Sequence, residues 1–168
     1  MKKYLKFSGI VAAVFAIVAF ILLMATTGVF YKYGNTQYNY EGTTVLFGAT
    51  KETWLGTTKI APAATGLIGW ILIIVALVIL LLGIILPLLK VNALEKFAGI
   101  LNLVAVVALV VAGILLFFSR GAFCAANEWD ADNAHLGAGW IVAGILAILG
   151  GCFAILPAAV DFIGNKKK

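Results

Sequence analysis

The stretch PAATGLIGWILIIVALVILLLGIILPLL, residues 62–89, contains no charged side chain and is dominated by Ile, Leu and Val. A helix needs about 20 apolar residues to cross the hydrocarbon core of a bilayer, so this run spans it with length left for tilt. Pro62 at the first position gives up no hydrogen bond, because the leading amides of a helix have no intrahelical acceptor. Composition agrees: of 168 residues 64% are hydrophobic and only 11% charged, and the mean hydropathy is +1.12. Globular domains carry about 25% charged residues, so the chain falls in the membrane class. Too little polar sequence separates the apolar runs to build a second, soluble domain. A net charge of +5 in a soluble protein would point to nucleic acid. Here the lysines are read as topology signals, and no nucleic-acid partner is expected.

Three further spans are counted outward from this one. Residues 7–31 follow the basic start Met1-Lys2-Lys3-Tyr4-Leu5-Lys6. The apolar part exceeds the 7 to 15 residues or so of a cleavable signal peptide, and Met24-Ala25-Thr26-Thr27-Gly28 is a poor cleavage site, so an uncleaved signal anchor is expected. Gly9, Ala12, Ala13, Ala16 and Ala19 recur at helical spacing and give this span one thin face for a neighbouring helix. The connection Lys90 to Lys96 is short enough to make its helices antiparallel neighbours. Residues 97–119 form the third span, with Asn102 about one turn inside as an interhelical hydrogen-bonding amide. Residues 136–160 form the fourth. In it Gly139, Ala143, Ala147 and Gly151 repeat every four residues and Gly137, Gly144 and Gly151 every seven, a small-residue seam for helix packing or for another subunit. Pro157 is placed to kink its end.

The expected fold is thus an all-α integral membrane protein, a four-transmembrane-helix bundle in a single domain, 1–168. Lys2, Lys3, Lys6, Lys90, Lys96, Lys166, Lys167 and Lys168 fall on the face of the termini, against Lys32, Lys51, Lys59 and Arg120 on the other. The excess of positive charge puts both termini in the cytoplasm and segments 32–61 and 120–135 outside the plasma membrane.

In the first outer segment, the β-prone runs Thr36–Tyr40 and Thr43–Phe47 flank Glu41-Gly42 and read as a hairpin. A second pair, Glu52–Leu55 and Thr57–Ile60, flanks Gly56 and makes a small sheet on the bundle plausible. Tyr38, Tyr40, Trp54 and Trp129 are the aromatic candidates for an outer interaction surface. In the second outer segment, Glu128, Asp130, Asp132 and His135 gather oxygen and nitrogen ligands that could hold a divalent cation such as calcium. The spacing matches no calcium loop, lacking its glycine and distal glutamate, so a solvated acidic turn is the reading taken and no metal site is assigned. Cys124 falls in that segment as an odd thiol, open either to an intermolecular bridge or to remaining a free thiol near lipid. Cys152 lies too deep in the fourth span to bond it.

Four spans, cytoplasmic termini and a first outer loop longer and more strand-like than the second resemble the layout of claudins and other tetraspan proteins. The resemblance covers the chain as layout and not as motif. The first loop of claudins carries Gly-Leu-Trp followed by two cysteines, whereas this loop has Trp54-Leu55-Gly56 and no cysteine. Claudin likeness implies a junction-forming role. The chain is also similar to small four-span bacterial membrane proteins of unassigned role, which supply no motif to transfer.

No nucleophile–base pair, phosphate-binding loop or metal-ligand set is visible, so neither enzyme activity nor a cofactor is expected. The reading is a structural or interaction membrane protein that presents its outer loops, or its glycine seam, to another membrane protein or to itself as a homo-oligomer. The alternative is a small transporter, channel or accessory subunit of a transport complex. Uncharged spans speak against ion paths, although an oligomer could still line a pore with backbone or apolar groups.

Overall fold

The computed structural model describes residues 2–53, 56–88 and 98–165. In chain order the elements are α1 (Lys2–Ala25), β1 (Thr27–Tyr33), β2 (Thr36–Glu41), α2 (Gly42–Phe47), β3 (Ala49–Thr53), β4 (Gly56–Ile60), α3 (Ala64–Leu88), α4 (Ala98–Ala126), a 3₁₀ turn (Ala131–Asn133), β5 (Ala134–Leu136) and α5 (Ala138–Asn165). Helices α1, α3, α4 and α5 are long and apolar enough to cross a membrane. The connection Lys90 to Lys96, the lysines at 166–168 and Trp54 lie outside the described residues.

At their seams these helices bury many small side chains beside larger ones such as Leu23, Ile73, Leu109 and Leu116. Ala12, Ala16 and Ala19 of α1, Ala76 of α3, Ala105 and Ala112 of α4, and Ala143, Ala147 and Ala154 of α5 are fully buried. Ile10, Val14 and Ile21, Val75 and Val78, Val107 and Ile114, Ile145 and Leu149 point outward. Water would expel such an apolar exterior. Lipid tails are as apolar as leucine, so large side chains gain little by hiding, and helices associate where small residues let their backbones approach.

That approach is visible at each seam. Between α4 and α5, a Cβ on Gly113 would stand 2.7 Å from the Gly144 carbonyl oxygen, and one on Gly151 would stand 3.2 Å from that of Val106. Between α1 and α5, Gly150 faces the Ala12 carbonyl and Phe15 meets Phe153 edge-on at 5.6 Å. Between α3 and α4, Gly69 faces the Ala112 carbonyl, and Asn102 Oδ1 lies 3.2 Å from where a Gly83 Cβ would be. The small-residue seam of α5 is therefore filled within the chain, by α4 on one side and α1 on the other. Gly137 is not part of it. It precedes α5, and its N–H donates to the Gly28 carbonyl at 2.8 Å.

Span boundaries depart from the sequence reading at the end of the bundle away from the termini. The first helix stops at Ala25 rather than continuing to residue 31, because the β-branched and aromatic run after Thr26 is taken into a strand. Helix α3 starts two residues after Pro62. Helix α4 runs on to Ala126, seven residues beyond the expected end, and takes Arg120 and Cys124 with it. Helix α5 begins at Ala138, leaving Leu136 to β5, and continues to Asn165 through Pro157.

The strands form two small antiparallel sheets, ordered β2-β1-β5 and β3-β4. The first hairpin turns at Gly34-Asn35, where Gly34 takes φ +58°, and pairs Tyr33 with Thr36 and Tyr31 with Tyr38. It replaces the hairpin expected around Glu41-Gly42. Residues 42–47 are instead a helical turn, whose Val45 and Leu46 are fully buried beneath the sheet. The second pair forms, but from Ala49–Thr53 rather than residues 52–55, with Gly56 inside β4 and paired to Thr53.

Candidate functional site

The segments that link α1 to α3 and α4 to α5 assemble at one end of the bundle, and backbone bookkeeping explains how. A helix leaves its last carbonyls unsatisfied, which is costly away from water. At the end of α1 the Leu22 carbonyl accepts from the Thr26 hydroxyl at 2.7 Å. The Leu23 carbonyl accepts from the indole N–H of fully buried Trp140 at 3.2 Å. The Thr26 carbonyl accepts from the Gly42 N–H at 2.8 Å. Residues from α2 and α5 thus cap α1 and fix the start of β1.

Helix α4 ends in a Schellman motif. The Trp129 N–H donates to the Cys124 carbonyl at 2.9 Å and the Glu128 N–H to that of Ala125 at 3.3 Å, with Glu128 at φ +58° in the left-handed position usually taken by glycine. Asn127, just before it, ties this end to the start of α3. Its Oδ1 accepts from the Ala61 N–H at 2.8 Å, and its amide nitrogen donates to the carbonyls of Ala61 at 3.1 Å and Phe123 at 2.8 Å.

Four rings close over this junction. Trp129 lies 5.0 Å from Tyr31, 5.1 Å from Tyr40 and 5.7 Å from Phe123, and Tyr40 lies 5.4 Å from Phe123. Lys51 Nζ stands 5.6 Å over the Tyr40 ring, within cation–π range. Tyr40 and Trp129, expected at the interaction surface, are therefore packing residues: Tyr40 is 9% exposed and Trp129 half-buried. Burial, followed by the neighbouring Tyr38 and Tyr31, pushes the Tyr40 phenol pKa up from its ordinary value. Tyr38, by contrast, is exposed, together with Lys32, Tyr33, Thr36, Gln37 and Asn39 around the tip of the hairpin.

The acidic cluster does not converge. Asp130 spends its carboxylate locally, accepting from the Asp132 N–H at 3.0 Å and the Asn133 amide at 3.3 Å, to cap the 3₁₀ turn. His135 is in β5, paired with Phe30. Among the described residues no three His, Cys, Asp or Glu side chains are grouped to hold a metal. Cys124, expected as an accessible thiol in a loop, is inside α4 and 1% exposed. Cys152 is exposed on the lipid-type exterior of α5.

An open groove of about 710 Å³ separates the β3-β4 hairpin from the end of α4. Lys59 and Thr58 line the strand wall, Glu128 and Trp129 the helix wall, and Ala61 and Asn127 both border it. The sequence reading did not single out this groove, because its walls are about 70 residues apart in the chain.

No known protein-family model matches the chain, and a search of curated proteins finds no match.

Proposed function

We propose that the chain is a multi-pass membrane protein, with both termini cytoplasmic, that makes contacts through the β1-β2 hairpin on the outer side. The observation that supports this is the division of labour within the hairpin. Tyr31 and Tyr40 are sunk into the ring cluster over the α4 end, while Lys32, Tyr33, Gln37, Tyr38 and Asn39 are left uncovered on the same two strands. An anchored hairpin offers its exposed groups at little ordering cost to a partner. Tyrosine and amide side chains combine contact area with adaptable hydrogen bonding. The partner class is another membrane protein or a second copy of this chain. The glycine seam of α5 is not the contact surface, since α1 and α4 occupy it. The claudin-like layout agrees with a contact role but supplies no residue to it.

The test uses membranes holding a Cys152→Ala chain with Tyr38→Cys or Tyr33→Cys. A short maleimide–diazirine photocrosslinker attached at the new cysteine should give one adduct of defined mass from both hairpin positions and none from Val107→Cys on α4. A chain that stays monomeric from both positions overturns the reading. Labelling of Tyr38→Cys by an impermeant maleimide on intact cells checks its side, and protection there would invert the orientation.

A further inference from the structure

We propose that the groove between the β3-β4 hairpin and the end of α4 seats the headgroup of a zwitterionic phospholipid, one carrying both a phosphate diester and an ammonium. The inference rests on the membrane reading but is independent of the hairpin contact.

Height in the fold is the first ground. Ala126, the last residue of α4, and Ala61, three residues before α3, both line the groove. It therefore opens where the outward-facing Ile and Val of the spans give way to polar sequence, the level at which headgroups lie.

Charge complementarity is the second. Lys59 on the strand wall and Glu128 on the helix wall both line the groove, which thus offers one cation and one anion. A headgroup with paired charges of opposite sign satisfies both, the phosphate at Lys59 with the hydroxyl of its cross-strand partner Thr50 as a further donor, and the ammonium at Glu128 with Trp129 beside it. An anionic lipid without an ammonium satisfies only the lysine wall.

Continuity with the lipid-type exterior is the third. Phe47 lines the groove, is half exposed, and meets Trp70 of α3 edge-on at 5.3 Å. Trp70 in turn stacks on Phe20 of α1 at 5.7 Å. An apolar ramp thus leads from the groove to the side of the bundle, where acyl chains would run. The backbone at Glu128 adds a consistent detail: a glutamate occupies a left-handed position that glycine fills without strain, so a carboxylate stands on this wall at a conformational cost.

The experiment reconstitutes the full chain in nanodiscs of equal parts phosphatidylethanolamine and phosphatidylglycerol and reads the lipids retained after gentle release by native mass spectrometry. The native chain should retain phosphatidylethanolamine at least threefold over phosphatidylglycerol. Glu128→Gly, which relieves backbone strain and keeps the fold, should abolish that preference while leaving phosphatidylglycerol retention unchanged. Lys59→Gln should lower retention of both lipids. Equal retention by the native chain, or a preference that survives both substitutions, overturns the proposal. Thermal unfolding of each variant confirms that it is folded. A chain that proved soluble without detergent would instead sink the membrane reading itself, and hairpin crosslinking reports separately on the contact role.

Discussion

The Asn127 side chain pairs with the backbone of Ala61 as one strand pairs with another, accepting from its N–H at 2.8 Å and donating to its carbonyl at 3.1 Å, although the two residues are 66 positions apart in the chain. This fork holds the start of α3 against the end of α4, and a third bond to the Phe123 carbonyl fixes the amide's orientation. Asn127→Ala leaves backbone groups unpaired in a partly buried site. It should lower stability by about 2 to 4 kcal/mol, read as unfolding in detergent micelles. Asn127→Gln should not rescue it, since the added methylene displaces the fork from Ala61. A variant as stable as the native chain would show that water replaces these bonds.

Two glycines are required by close backbone approach. A Cβ on Gly42 would run into the Leu23 carbonyl oxygen, and one on Gly137 into that of Thr27. Both obstacles are backbone and cannot rotate away. Gly42→Ala and Gly137→Ala should each prevent recovery of folded, monodisperse protein. Gly121 on α4 has nothing within 4 Å of its Cβ position, so Gly121→Ala should be neutral or stabilise by up to about 1 kcal/mol. Folded yield and melting temperature across the three variants check the contrast.

The two thiols should differ in access. Cys152 is exposed and Cys124 fully packed. In detergent solution a small maleimide should label Cys152 of the folded chain faster than Cys124, which it should reach only on unfolding. Mass spectrometry of the labelled peptides decides it, and rapid labelling of Cys124 in folded protein would contradict the packing of α4.

Stability should fall in alkali through Tyr40. Burial raises the pKa of its phenol in the folded state, so the unfolded chain gives up its proton first. The stabilisation is therefore complete below about pH 10 and is lost as pH climbs through the folded value. Tyr40→Phe keeps the ring contacts and the Lys51 ammonium above the ring but removes the ionising group. Unfolding measured through the alkaline range should be less steeply pH-dependent in that variant, and an identical slope would place the titration elsewhere.

The turn at Gly34-Asn35 shows where legibility was lost. Tyr31-Lys32-Tyr33 and Thr36-Gln37-Tyr38 on either side carry an ordinary hairpin signature. It was masked because Thr27 to Tyr31 are also apolar enough to extend the first span, and hydropathy does not separate a helix end from a buried strand. The last turns of α4 were hidden by Arg120, whose charge closes the apolar run at residue 119, and only the capping by Asn127 and Glu128 shows where that helix stops. For residues 43–47, burial of Val45 and Leu46 overrode a β-prone local preference.

Four apolar helices, their antiparallel order, and the alanine and glycine stripes that face inward follow from the chain alone, since length and hydropathy are local sums and a small-residue stripe needs only helical periodicity. Which residues meet at the sheet end was decided by tertiary structure. Asn127 with Ala61 and Trp140 with Leu23 are joined by helix ends that must satisfy backbone groups from distant segments. No pattern along the sequence encodes which distant group arrives.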